Sequence, residues 1–207
     1  IIGLPDAEKA WYNLNIKKLQ VSPQDIEKIV DKGTIPTDIQ LPQNIIIIKG
    51  TFKGKLNNFN TNLAVNSRFG NAKVKTSFDN RIKNKEKYDG VAELNNFDLG
   101  KLIKDSSVGK ITMKANIKGT GLNPKTATAN VDGFMQKGVY NNYVYQNLAL
   151  KGKIINGRYN ANAKINDPNL EFDLVSNGTF NATYPQVNVK MNVAIADLQK
   201  LNFNDTP

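Results

Sequence analysis

Three carboxylates fall within seven positions at Asp167, Glu171 and Asp173, and a second group gathers at Asp79, Glu86 and Asp89. Acids so close could act as a glycosidase pair or offer hard oxygen ligands to calcium. Neither group has calcium-loop spacing or an RTX glycine repeat. Glu171 and Asp173 alternate with Leu170, Phe172 and Leu174, which on a strand turns these acids to the polar face. Solvated acids are therefore expected. Gly119-Thr120-Gly121 is followed by Pro124 rather than by a helix, so it reads as a turn and not as a dinucleotide fingerprint. Tyr140, Tyr143 and Tyr145, with Asn141 and Asn142, could stack sugars or bases, but tyrosine is also a common strand residue and packing is the expectation.

The chain of 207 residues has no Cys and no His. Disulfides, thiolate catalysis and Cys-ligated zinc are excluded, and so are Ser-His-Asp, Cys-His and His-based metal sites. The protein reads as a non-enzyme with no metal and no cofactor. The net charge of +10 makes nucleic acid, anionic lipid surfaces and lipopolysaccharide candidate partners. Arg68, Arg81 and Arg158 are the only arginines, which argues against nucleic acid. A Lys-rich face of Lys110, Lys114, Lys118, Lys151 and Lys153 could touch anionic lipid, with ordinary solubility as its simpler use. Asn177-Gly178-Thr179 and Asn181-Ala182-Thr183 match the glycosylation sequon, which matters only in a glycosylating compartment. No apolar run reaches 18 residues and no signal-peptide pattern opens the chain, as expected of an excerpt from a longer protein.

The elements that must position these residues are strands. From Ile45 onward, short alternating runs are separated by Gly, Asn, Asp and Pro. Phe59, Leu63 and Val65 share one face against Asn60, Asn62, Ala64, Asn66 and Arg68; after a Gly70-Asn71 turn, Ala72, Val74 and Phe78 oppose Lys73, Lys75, Ser77 and Asp79. Arg81 to Lys87 reads as a charged loop. Ile111, Met113 and Ile117 form the next stripe, followed by Ala127, Ala129 and Val131, then Leu148, Leu150 and Ile154, joined through Gly157 to Tyr159, Ala161, Ala163 and Ile165. Leu170, Phe172 and Leu174 follow, and the last stripe is Val187, Val189, Met191, Val193 and Ile195. Strands of roughly 8 to 11 residues span about 26 to 36 Å, long for a compact sandwich.

One helix is expected, over Ser22 to Lys32, capped by Ser22, opened by Pro23 and ended by Gly33. Thr34 to Gln43 reads as a linker. Residues 1–40 thus hold an N-terminal strand and helix, and residues 41–207 a repetitive antiparallel module. The motif [Asp/Asn]-[Leu/Ile]-x-Lys-Leu recurs at Asn15 to Leu19, Asp98 to Leu102 and Asp197 to Leu201, each expected to be one helical turn leaving the sheet. A meander without alternating helices argues against any βαβ fold. The expected fold is all-β: a curled antiparallel sheet forming a half-open hydrophobic trough.

Leu41-Pro42 before a strand, Ile48-Lys49-Gly50-Thr51-Phe52-Lys53-Gly54, Phe59-Asn60-Thr61-Asn62-Leu63 and the Asp98 to Leu102 break together resemble the AsmA-like superfamily, in its TamB branch of the Bacteroidetes type. The resemblance runs from about Leu41 to Phe203. It implies a long periplasmic protein anchored in the inner membrane, whose stacked strands form a trough that conducts phospholipids toward the outer membrane, with an Omp85-type barrel as partner. The chain shows neither that anchor nor a recognisable partner-binding domain. On this reading the acyl-chain lining is Phe59, Leu63, Val65, Ala72, Val74, Phe78, Ile111, Met113, Ile117, Val131, Leu150, Ala161, Leu174, Val189, Met191 and Val193. The alternatives are a structural or outer-membrane-protein assembly spacer, and a sugar-binding β-solenoid that uses the tyrosines.

Overall fold

The computed structural model describes residues 2, 6, 9–29, 37–43, 46–181 and 186–203. The strands are β1 (Tyr12–Val21), β2 (Ile46–Lys55), β3 (Asn58–Ser67), β4 (Gly70–Asp79), β5 (Lys87–Asp98), β6 (Val108–Thr120), β7 (Thr128–Tyr140), β8 (Tyr143–Ile155), β9 (Arg158–Asp167), β10 (Leu170–Thr179) and β11 (Gln186–Ala196). Two short helices accompany them, α1 (Pro23–Ile29) after β1 and α2 (Leu99–Ile103) between β5 and β6. The eleven strands form one sheet in sequence order, each antiparallel to the next. The order ends at β1 and β11, so the sheet curls without closing and forms a half-open trough. β1 is hydrogen-bonded to β2 and so extends the same sheet as the rest.

Alternation sets the register. Directly opposed residues share a face, and a slip of one residue would move every apolar side chain to the polar side. One complete row crosses all eleven strands: Ile16, Gly50, Leu63, Val74, Ala92, Ala115, Gly133, Leu150, Ala163, Leu174 and Met191. A parallel row runs from Leu19 through Val65, Leu94, Met113, Leu148 and Phe172 to Val193. The opposite face carries cross-strand ion pairs, Lys114 with Glu93 at 2.9 Å, Lys118 with Asp89 at 2.8 Å and Lys164 with Asp173 at 3.2 Å.

The ladder shifts register near one rim of the trough, between Ile16 and Leu19 on β1, between Leu94 and Phe97 on β5, at Gln136 on β7 and at Ala194 on β11. An extra residue bends and twists its strand. This is the rim from which α1, α2 and the turn after β11 leave the sheet, and Val21, Ile46, Phe69, Phe97, Tyr145, Ile165 and Leu201 are buried along it.

Several expectations are corrected. Among the described residues the helix covers Pro23–Ile29, and Val30 to Lys32 of its expected span lie outside them; Ser22 and Asp25 cap it reciprocally, as expected of Ser22, the Ser22 N–H donating to the Asp25 carboxylate at 2.8 Å and the Asp25 N–H to the Ser22 hydroxyl at 3.2 Å. Its expected Gly33 stop lies outside the described residues, as does Ile45. The turn between β3 and β4 is Arg68-Phe69, and Gly70, with a φ of 126°, already pairs with Ser67. Asn15 to Leu19 does not leave the sheet, because an extra residue within β1 absorbs its out-of-phase spacing. Ile195 pairs with Glu171 on the polar face, since the shift at Ala194 reverses its direction.

Candidate functional site

Every residue of the expected lining lies on one face, because the ladder pairs them in series: Phe59 with Phe78, Leu63 with Val74, Val65 with Ala72, Ile117 with Val131, and Leu174 with Met191. Ile111, Met113, Leu150, Ala161, Val189 and Val193 join it through the same rows. In a sealed core, mid-strand residues of central strands are buried. Here Ile117 is 44% exposed and Leu150 42%, and at the β11 end Met191 is 53% exposed. The chain presents 14156 Å² of accessible surface, where a compact monomer of 22.9 kDa presents roughly 9,600 Å².

Glycine shapes the trough. Gly50, Gly54, Gly90, Gly119, Gly133, Gly138, Gly152 and Gly178 all fall on the apolar face through their ladder partners. Some are covered: the Tyr88 hydroxyl lies over Gly119, the Met135 sulfur over Gly138 and the Tyr159 ring over Gly178. Others are open. A Cβ at Gly152 would meet no heavy atom within 4 Å, and one at Gly133 would meet only ordinary contacts at 3.8 Å. These two notches adjoin the exposed Leu150 and the Ile117–Val131 pair, so free space lies where the lining is most accessible. The sequence shows the glycines but not their common face.

Comparison with protein-family models, with curated proteins and with solved structures finds no match.

The rim of the trough is closed by repeated parts. Asp98 caps α2 through its carboxylate and the Lys101 N–H at 3.1 Å, and Asp197 accepts from the Lys200 N–H at 3.1 Å; the same lysines return ion pairs of 2.9 and 3.1 Å. Two of the three motif copies thus build one helical turn at the end of an odd strand. The second turn sets Leu201, only 1% exposed, against Tyr145 and Ile165, with Met135, Tyr143, Leu148, Leu170 and Phe172 around them.

The tyrosines divide. Tyr143, half-buried, and Tyr145, buried, pack edge to face at 4.8 Å against this apolar cluster, and Tyr140 stays exposed. Asp167 departs from the expectation of solvated acids. It is 2% exposed and accepts from the Tyr143 hydroxyl and from the N–H groups of Gln146 and Asn169, both at 2.9 Å. Glu86 is likewise buried at the opposite rim, accepting from the Asn84 N–H at 2.8 Å. Glu171 and Asp173 do face the polar side. Among the described residues, no group of three or more acidic side chains could hold a metal ion.

Lys114 and Lys118 are held in ion pairs rather than presented free. The Lys114 ammonium, by hydrogen bonding and by its charge, holds the Glu93 carboxyl below its usual range.

Proposed function

We propose that the apolar face shields acyl chains of phospholipids as they move through an aqueous gap. The observation that carries this reading is the combination of unbroken apolar rows with half-exposed residues and open glycine notches at mid-trough. Eleven strands at about 4.8 Å spacing give a lining about 48 Å long from β1 to β11. Each methylene kept from water is worth roughly 0.8 kcal/mol, so a two-chain lipid avoids a cost of order 20 kcal/mol without any chemistry. A lining of aliphatic and aromatic side chains with few polar atoms holds a chain by area alone, which favours passage over storage.

The resemblance to the AsmA-like superfamily supports the same reading and adds the setting: a periplasmic segment of an inner-membrane-anchored protein working with an Omp85-type barrel. No helix of the described residues is long and apolar enough to cross a membrane, so on this reading an anchor is supplied by other parts of the protein.

The test is lipid extraction and mass spectrometry of the purified protein beside Val65→Asp. A carboxylate in mid-trough stands unpaired in the acyl path. Co-purified phospholipid that falls severalfold in a still-folded variant supports the reading. Absence of lipid from the wild type, or unfolding of the variant as a sealed core requires, contradicts it.

A further inference from the structure

We propose that the groove on the polar face beside Phe134 is a carbohydrate-binding site. Phe134 breaks the alternation: it pairs with Lys114 on β6 and Ala149 on β8, both polar-face positions, and is 48% exposed. An aromatic ring in that position gains nothing from the trough. On its β8 side Ala149 offers only a methyl group, and on its β6 side the Lys114 ammonium is drawn to Glu93 on β5 at 2.9 Å. About half of the residue is therefore left open to solvent.

The surrounding groove has a volume of about 630 Å³ and is lined by Phe134, by the amides of Asn95, Gln136 and Asn147, and by the charged Lys73, Glu93 and Lys114, within the range of about 300 to 1,000 Å³ usual for small-ligand sites. These amides stand where the ladder is irregular. Asn95 lies in the register shift of β5, Gln136 in that of β7, and Asn147 has a left-handed φ of 54° and no ladder partner. Such irregularities re-aim side chains and are frequent beside functional sites.

The chemistry suits a sugar better than its rivals. A β-linked pyranose has an apolar CH face that stacks on a ring and a rim of hydroxyls that both donate and accept, as amides do. An acyl chain would meet amides and ions here. A nucleic acid would meet no arginine, and of the two lysines Lys114 is already paired with Glu93, leaving Lys73 as the one cation for a phosphate. A peptide strand would find no free backbone, since β7 is paired on both sides. The inference is independent of the acyl-chain reading.

The test is titration of the 15N-labelled protein with cellotriose and with chitotriose, followed by NMR. The expected result is saturable shifts centred on the amides of Phe134, Gln136 and Asn147 with at least one of the two sugars. Phe134→Ala should weaken binding about tenfold, and Phe134→Tyr should retain it, because the stacking surface is preserved. Val65→Asp, on the other face, should leave it unchanged. No saturable shift with either sugar, shifts centred elsewhere, or undiminished binding by a folded Phe134→Ala variant overturns the assignment.

Discussion

Tyr143 on β8, half-buried, donates its hydroxyl to the buried Asp167 carboxylate at the end of β9, and this pair anchors the closed rim of the trough. Asp167 holds two backbone N–H groups as well, and Asn169 donates to the Tyr143 oxygen at 2.9 Å. Tyr143→Phe should cost about 1 to 2 kcal/mol, and Asp167→Leu, which strands three donors, at least about 3 kcal/mol. Urea unfolding measures both; equal losses in the two variants would show that the carboxylate does not join the donors.

Burial, and then the hydrogen bond to Asp167, raises the Tyr143 pKa. A raised folded-state value means that the contribution of Tyr143 is present in full below its unfolded pKa of about 10 and is lost as pH rises through the folded value. Stability should therefore fall above about pH 10, and the fall should be shallower in Tyr143→Phe than in the wild type. Alkaline denaturation monitored by circular dichroism reads the difference.

The acid limb belongs to the caps. The Lys200 N–H, and then the Lys200 side chain, hold the Asp197 carboxyl below its ordinary 3.8. Its contribution is present above that pH and is lost as pH falls through the lowered value. Protection from hydrogen exchange at Lys200 and Leu201, relative to the intrinsic rate, should fall below about pH 4, and Asp197→Asn should abolish that pH dependence.

Leu201 transmits the cap to the trough. At 1% exposure within the Tyr145–Ile165 cluster, its truncation to Ala should cost about 2 to 5 kcal/mol. A loss below about 1 kcal/mol in thermal or urea unfolding would mean that the terminal turn is not a lid on this rim.

Gly152 separates fold from function. Because a side chain there meets open space, Gly152→Leu should leave stability within about 1 kcal/mol of the wild type while filling the floor of the trough. Lipid recovered after purification should drop severalfold. A severe loss of stability would show that the notch is already occupied by packing.

The polar face should tolerate change. Lys118→Gln and Lys164→Gln each remove one exposed ion pair, worth about 0 to 1 kcal/mol. Lipid recovery should be unaltered, and a large loss would place the site on the basic face instead.

Most strands were legible because period-2 alternation is a direct imprint of a one-sided sheet, as in Leu63 and Val74. What was hidden lies beyond the register shifts. Alternation assigns Ile195 to the apolar stripe and says nothing of Tyr143 and Tyr145, but extra residues at Ala194, at Gln136 and at Asn147 change the phase, sending Ile195 outward and the tyrosines inward. The motif Asn15 to Leu19 misled for the same reason, since a register shift within a strand and a turn leaving it share the same out-of-phase apolar spacing. The sequence leads one to expect a solvated Asp167 because two of its three hydrogen-bond donors, the Tyr143 hydroxyl and the Gln146 N–H, come from β8, which only the ladder brings alongside it. A half-open trough is what the sequence leads one to expect, but the places where the face opens are not legible in it, because Gly133 and Gly152 create space only through their partners.

The central claim is tested most directly by photo-crosslinking residues placed in turn at Ile117, Leu150 and Met191 on the apolar face and at Lys114 on the polar face, in the protein within intact cells. The account predicts phospholipid adducts at the first three positions and none at Lys114. Crosslinks confined to the protein itself at Ile117, Leu150 and Met191 would contradict it and make the trough an ordinary core.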